Sequence, residues 1–202
     1  MRTPLVPRGE ALFESGLPGL LLRERDLDDA PFGDMARRLR VAADQAGGLL
    51  LVTNRLEAAS QSAHGVHLGG GGPGAAEARR VLGDQALIGV SLHAGDDPEH
   101  PDRTAADYFF YSPVFATASK PGAPPLGLEG LSALCRATAR PVFALGGITP
   151  ERAAACREAG AHGVAVIGAL AGDEPARAAW QPWRAAAADV GTAAPVLASG
   201  GV

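Results

Sequence analysis

The sequence has few of the features that mark disulfide scaffolds, metal centres and membrane spans. It contains two cysteines among 202 residues, Cys135 and Cys156, without a CxxC pair or paired histidines. Free thiols are therefore expected rather than a disulfide or a metal role. No apolar run reaches the roughly eighteen residues of a membrane span, and the N-terminus lacks the apolar stretch of a signal peptide. These absences predict a cytoplasmic protein with no membrane partner.

Basic charge is scarce as well. The formal net charge is −4 and the pI is about 5.7, and the arginines are scattered among acids. Such a charge pattern provides no field that attracts DNA or RNA, so nucleic-acid partners are not expected. Lysine is almost missing, because Lys120 is the only lysine among 18 basic side chains.

Short apolar segments alternate with helical segments along the chain. With 47% hydrophobic residues, the 202-residue chain can bury one sizeable core, so one domain is expected. The apolar runs are continuous, which is typical of parallel strands buried on both faces. Strands are predicted at residues 19–23, 49–53, 65–68, 87–92, 108–112, 142–145 and 164–167. Helices are predicted at residues 32–46, 75–82, 128–138, 150–159 and 175–187.

Seven such strands predict an α/β fold, a single (β/α)8 TIM barrel, because a count this close to eight favours closure. The barrel domain is predicted to span residues 1–190, with a C-terminal tail at 191–202; an edge strand or a partner contact stays open for that segment. The missing strand is expected at residues 3–6, where Pro4 and Pro7 each remove a backbone donor. The first βα unit is therefore expected to be short or irregular.

Two strand ends near the C-terminus carry glycine where a helix begins. Residues 144–149 read Ala-Leu-Gly-Gly-Ile-Thr, and residues 164–170 read Val-Ala-Val-Ile-Gly-Ala-Leu. The missing side chains at Gly146, Gly147 and Gly168 would let an anion reach the backbone amides and the helix dipole. In consecutive units of a barrel this pattern predicts a phosphate site. Ordinary strand-to-helix turns are the alternative.

A long loop at residues 113–127 follows the strand predicted at residues 108–112. In a barrel, a loop in that position belongs to the catalytic face. Lys120 stands there beside Thr117 and Ser119, and a compact cation at this point could neutralise a phosphate or pyrophosphate. A solvated loop lysine is the alternative.

Several motifs occur in a fixed order between about Leu20 and Leu170. They are Leu-Arg-Glu-Arg-Asp-Leu at 22–27, Gly-Val-His-Leu-Gly at 65–69, Gly-Val-Ser-Leu-His at 89–93, Ser-Pro-Val-Phe-Ala-Thr at 112–117 with Ser119 and Lys120, Gly-Gly-Ile-Thr at 146–149, and the strand that ends at Gly168. In these motifs the chain resembles thiamine phosphate synthase and its relative, the thiazole tautomerase TenI.

The resemblance implies a reaction in which a pyrimidine diphosphate ionises to a carbocation and magnesium pyrophosphate, and the nitrogen of a thiazole phosphate captures the cation. Arg23 and Arg25 would hold the diphosphate, Ser91 would lie near the pyrimidine, and Lys120 would reach the leaving pyrophosphate. The candidate catalytic residues are Lys120, Ser91 and His93. The candidate binding residues are Arg23, Arg25, Asn54, His67, Thr117, Ser119, Gly146, Gly147, Ile167 and Gly168. Barrels of this family also resemble dimers, so a homodimer stays open.

The chain departs from the family pattern at the magnesium site. Asn54 and Gly72 stand where the family has two metal-ligating aspartates. Because Mg²⁺ prefers anionic oxygen ligands, metal binding is expected to be greatly weakened, and no metal ligand is assigned. Leu21 replaces a glutamine expected to bind the pyrimidine. Pro113 stands where the tautomerase has its acid/base histidine, and proline cannot transfer a proton.

Three hypotheses therefore stay open. The first is a thiamine phosphate synthase with a degraded magnesium site, the second a TenI-like thiazole tautomerase, and the third a noncatalytic protein that binds a phosphate ligand. His67 and His93 both follow or end predicted strands and could titrate near neutrality, although hydrogen bonding to a neighbouring loop is the alternative role for each.

Overall fold

A curled parallel sheet of short apolar strands organises the chain. The computed structural model describes residues 4–188 and 196–200. The strands are β1 (Gly19–Leu22), β2 (Leu49–Thr53), β3 (Gly65–Leu68), β4 (Leu87–Leu92), β5 (Tyr108–Tyr111), β6 (Val142–Leu145), β7 (Gly163–Val166) and β8 (Val196–Gly200). The helices are α1 (Leu5–Glu14), α2 (Asp29–Ala46), α3 (Leu56–Ser62), α4 (Ala75–Leu82), α5 (Gly127–Ala137), α6 (Pro150–Glu158) and α7 (Ala176–Ala188).

The strands pair in sequence order, and every pairing is parallel. β8 lies between β7 and β1, with Val164 opposite Val196 and Gly19 opposite Leu197, and so closes the order. The predicted α/β fold is confirmed. A complete eightfold strand–helix repeat is not shown, because a 3₁₀ turn at Pro101–Arg103 joins β4 to β5 and no helix follows β8 in the described residues.

The strand predicted at residues 3–6 was wrong. Residue 3 lies outside the described residues, and α1 begins at Leu5. Pro4 precedes the helix and Pro7 lies in its first turn, where backbone N–H groups have no helical acceptor, so neither proline removes a hydrogen bond. α1 buries Val6, Leu12 and Phe13, and this spacing was a helical signal in the sequence.

The prediction of a tail at residues 191–202 also needs correction. The strand next to β1 comes from this segment, because β8 pairs with both β1 and β7. Residues 191–195 and 201–202 lie outside the described part of the chain. The short apolar run of β8 left an edge strand open as an alternative. Its small residues did not favour a strand strongly, because strands are typically rich in β-branched and aromatic residues.

Alternation along each strand divides the core into two layers. Leu22, Val52 and Phe109 point outward and pack with the helices. A separate cluster fills the interior of the sheet: Leu21, Leu51, Tyr108, Phe110, Phe143 and Ala165. Neighbouring strand residues thus serve opposite faces, and the inner cluster forms an apolar floor below the carboxyl ends of the strands. Within the described ranges, none of the helices has the length and hydropathy to cross a membrane.

Candidate active site

A cavity of about 570 Å³ opens at the carboxyl ends of the strands. This is the end of a parallel barrel where ligand sites form, since the loops after the strands converge there. Most of the predicted site residues line it: Arg23, Arg25, His67, Ser91, His93, Thr117, Ser119, Lys120, Gly146, Gly147, Ile167 and Gly168. The structure therefore brings together residues that are up to 145 positions apart in the sequence (168 − 23).

The two glycine-bearing strand ends meet at one side of this cavity. After β6, Gly146 and Gly147 have φ values of +96° and +63°, a region that favours glycine. A Cβ at Gly147 would lie 2.4 Å from the carbonyl oxygen of Ala116, so the close approach of two loops also requires glycine. After β7, Gly168 is the first residue of a 3₁₀ helix ending at Leu170, and the first N–H groups of such a turn have no partner within it.

The loop after β5 is bound to the end of β6 by backbone hydrogen bonds. Val114 N–H donates to the carbonyl of Leu145 over 2.9 Å, and Phe115 N–H donates to that of Gly146 over 3.0 Å. A turn follows, in which Lys120 N–H donates to the carbonyl of Thr117 over 3.2 Å. These bonds place the Thr117–Lys120 turn beside the first glycine strand end.

Three cationic side chains give the cavity a positive charge. Burial and the neighbouring Arg25 lower the pKa of Arg23, and burial and Arg23 lower the pKa of Lys120. Among the residues that the structure describes, no Asp or Glu lines the cavity, and none of the three cations forms an ion pair within 4 Å. An anionic ligand would relieve this mutual repulsion.

A chain of polar contacts holds Lys120 in place. Its ammonium group donates to Nε2 of His93 over 2.8 Å, so that nitrogen carries no proton. Burial and Lys120 lower the pKa of His93, which keeps the imidazole neutral. Asp96 accepts from the His93 backbone N–H over 2.7 Å and from Arg103 over 2.6 Å. In this geometry His93 orients the lysine and adds no positive charge.

His67 is buried between two hydroxyl groups. Its Nδ1 lies 3.0 Å from the Tyr108 hydroxyl, and its Nε2 lies 2.9 Å from the Ser91 hydroxyl. Burial lowers the pKa of His67 to about 3 and raises the pKa of Tyr108. The neutral ring donates to one hydroxyl and accepts from the other, and so fixes Ser91 at the cavity wall.

The buried imidazole predicts a pH dependence of stability. Between an unfolded pKa of 6.5 and a native pKa of about 3, the unfolded chain binds a proton that the native state does not. The unfolding free energy should therefore fall as the pH decreases through this window, by at most about 1.4 kcal/mol per pH unit from this group. Urea titrations of the wild type and His67→Gln, at about pH 7 and about pH 5.5, should show a smaller decrease in the variant. Equal decreases would mean that His67 is protonated in the native state.

Asn54 is one predicted binding residue that does not line the cavity. Its backbone has a φ of +57°, and its Oδ1 accepts a hydrogen bond from Gly69 N–H over 2.9 Å. A Cβ at Gly72 would lie 2.3 Å from that same oxygen. Among the described residues, no group of three His, Cys, Asp or Glu side chains could hold a metal ion. Asn54 offers a neutral amide and Gly72 has no side chain, so these two positions do not fit Mg²⁺, which prefers carboxylate ligands.

Two functional candidates were missed in the sequence. Thr53 ends β2 and lines the cavity, and its buried hydroxyl has no hydrogen-bond partner among the described residues. Its position at the carboxyl end of a predicted strand could have indicated a site residue, because ligand sites of barrels form at that end. Arg8 on α1 is buried and donates to the carbonyls of Leu170 (2.9 Å) and Glu174, so it supports the loop after β7. The role of Arg8 could not be predicted from the sequence, because helix α1, which carries it, was not predicted.

Comparison with known proteins points to one family. The family model described as thiamine monophosphate synthase matches residues 2–170. The chain is 37% identical to the thiamine-phosphate synthase of Moorella thermoacetica over 84% of this chain and 81% of that protein. It is 36% identical to that of Chloroflexus aurantiacus over 87% and 82%. The solved structure of thiamine phosphate pyrophosphorylase from Pyrococcus furiosus is similar with a TM-score of 0.82 and 27% identity, over 91% of this chain and 89% of that one.

Proposed function

Since the chain belongs to the thiamine monophosphate synthase family, we propose that it is a (β/α)8-type transferase that joins a pyrimidine diphosphate to a thiazole phosphate and releases pyrophosphate. The observation that carries this proposal is the meeting of two anion-binding elements in one cavity. The glycine strand ends after β6 and β7 form one element, and the cations Arg23, Arg25 and Lys120 form the other. Two phosphorylated substrates require two such elements.

The thiazole phosphate belongs at the glycine strand ends. Backbone N–H groups at Gly147 and Gly168 can approach the phosphate because no side chain intervenes. The hydroxyls of Thr117 and Ser119 add donors from the loop after β5, which is hydrogen bonded to the end of β6. This arrangement would present the thiazole ring toward the centre of the cavity.

The pyrimidine diphosphate belongs beside the cations. The bond between the pyrimidine methylene carbon and the diphosphate oxygen breaks, and its electron pair leaves with pyrophosphate. The thiazole nitrogen then donates its electron pair to the carbocation. This reaction needs stabilisation of the leaving group and a water-poor pocket rather than a nucleophilic side chain. Arg23, Arg25 and Lys120 would provide the first, and the apolar floor at Leu21 and Phe110 would provide the second.

The direct test is to incubate the purified protein with pyrimidine diphosphate and thiazole phosphate, and to measure pyrophosphate release together with thiamine phosphate by chromatography. The proposal predicts equal amounts of pyrophosphate and thiamine phosphate. When the thiazole phosphate is omitted, no pyrophosphate should be released, because the carbocation then has no nucleophile to capture it. Conversion of a thiazole carboxylate phosphate between its tautomers, without pyrophosphate release, would support the tautomerase instead. Binding of both ligands without turnover would identify a noncatalytic relative.

A further inference from the structure

We propose that the diphosphate part of the cavity binds its ligand without a divalent cation, and that Arg23, Arg25 and Lys120 supply the positive charge. This inference rests on the proposed function for the identity of the ligand, a diphosphate. It concerns a different property, the need for a metal ion. A family member that works without magnesium would catalyse the same overall reaction as relatives that use it. Three observations carry it.

The first observation is the set of oxygen donors. Among the described residues, the polar groups that line the cavity are hydroxyls, backbone groups, two imidazoles and cations, and none is a carboxylate. Mg²⁺ in proteins is usually bound by one or two carboxylates together with substrate phosphates. The side-chain oxygen of Asn54 is also committed, since it accepts the hydrogen bond of Gly69 N–H. Substrate and water would be the remaining ligands.

The second observation is that the amide of Asn54 fills the space that a side chain at position 72 would enter. A Cβ built at Gly72 would lie 2.3 Å from Oδ1 and 2.5 Å from Cγ of Asn54. No side chain at position 72 is compatible with the present position of this amide. Gly72 N–H also donates to the carbonyl of Gly69 over 3.1 Å. The Asn54 amide, held by the hydrogen bond from Gly69 N–H, therefore lies where a carboxylate at position 72 would have to begin.

The third observation is the charge left in the cavity. Arg55, which directly follows Asn54, pairs with Asp29 over 2.6 Å, whereas the three cavity cations have no such partner among the described residues. Arg23 is near enough to Lys120 to lower the pKa of the lysine. Three cations match a diphosphate, while a dication without anionic protein ligands would be repelled by them.

Calorimetric titration with inorganic pyrophosphate tests the inference on the intact protein. Titrations are made in EDTA and in millimolar magnesium, each at the same ionic strength. We expect binding in EDTA, with a dissociation constant that magnesium decreases by less than about threefold, a difference of under 1 kcal/mol by the usual conversion. Binding only in magnesium, or a tenfold tighter binding in magnesium, would overturn the inference.

Two variants sharpen this test. The variant Asn54→Asp adds a carboxylate directly after β2 and leaves Gly72 unchanged, because a side chain at position 72 would collide with residue 54. Its pyrophosphate binding should weaken in EDTA and recover in magnesium. If it responds to magnesium as the wild type does, position 54 does not control metal dependence and the inference fails. Arg25→Gln is the second variant, because Arg25 is exposed and its loss should not unfold the protein. Its binding should weaken about tenfold in both conditions; recovery in magnesium would contradict the assigned role of the cation.

The result is separable from the proposed function. Metal-free binding of pyrophosphate by a protein that never releases thiamine phosphate would overturn the proposed reaction and leave this inference standing. Product formation that stops in EDTA, with pyrophosphate binding lost as well, would support the reaction and overturn the inference.

Discussion

Replacing Lys120 with alanine is expected to lower kcat/KM for thiamine phosphate formation by about a hundredfold to a thousandfold. This is the loss measured when one preorganised donor to a developing anion is removed. Lys120 is held by His93 at 2.8 Å and lies next to the cationic Arg23, so its charge is fixed where the leaving pyrophosphate would gather negative charge. Pyrophosphate affinity should fall with kcat/KM, while thiazole phosphate affinity should change little.

Steady-state kinetics and calorimetry check this prediction, and Arg80→Ala is the matched control. Arg80 is an exposed cation on α4 and does not line the cavity, so its removal changes the net charge equally without affecting the site. Lys120→Arg should recover only part of the activity, because a planar guanidinium does not replace a compact ammonium against His93. A Lys120→Ala enzyme within about threefold of the wild type would remove the lysine from the leaving-group site.

The elements that could be predicted from the sequence are those whose signal is local. β2, β3, β4 and β6 have the predicted bounds, because each is a short, mainly apolar segment between turn residues. The end of β6 was predictable for the same reason: Gly146 and Gly147 follow β6 directly. Local composition also identified Lys120, since a single lysine in a strand-end loop is visible without a structure.

The remaining features depend on contacts between distant segments. The bond between Lys120 and His93 joins residues 27 positions apart, whereas the sequence motifs predicted a separate role for each residue. His67 was likewise expected to titrate near neutrality, but it is buried between the hydroxyls of Ser91 and Tyr108, and this burial lowers its pKa to about 3. The pKa of a side chain depends on its burial and on the groups that it contacts, and neither can be read from the sequence alone.

Positions 54 and 72 illustrate both limits. That they carry Asn and Gly rather than carboxylates can be read from residue identity alone. That the two positions contact each other, with a Cβ at 72 only 2.3 Å from the Asn54 oxygen, follows from the way β2 and β3 pair and their loops converge. Two positions that look independent in the sequence are therefore neighbours in space.

Replacing Gly147 with alanine is expected to weaken thiazole phosphate binding by more than about a hundredfold and to lower Tm as well. The backbone at this position has a φ of +63°, which costs a non-glycine residue about 1 kcal/mol or more. The added Cβ would lie 2.4 Å from the Ala116 carbonyl oxygen and 2.9 Å from Cβ of Phe115. Neither atom is the end of a flexible side chain, so the loop that carries Thr117 must move away from the phosphate.

The other glycine strand end separates this steric effect from a direct effect on the ligand. A Cβ at Gly168 would meet no protein atom within 4 Å, yet the residue lines the cavity, so Gly168→Ala should weaken phosphate binding with an unchanged Tm. Gly172 has equal space and lies outside the cavity lining, and Gly172→Ala should change neither quantity. Thermal unfolding and calorimetry with thiazole phosphate measure both. Wild-type affinity in Gly147→Ala and Gly168→Ala together would show that the phosphate does not bind at these strand ends, because backbone amides behind two new methyl groups cannot hold it at hydrogen-bonding distance.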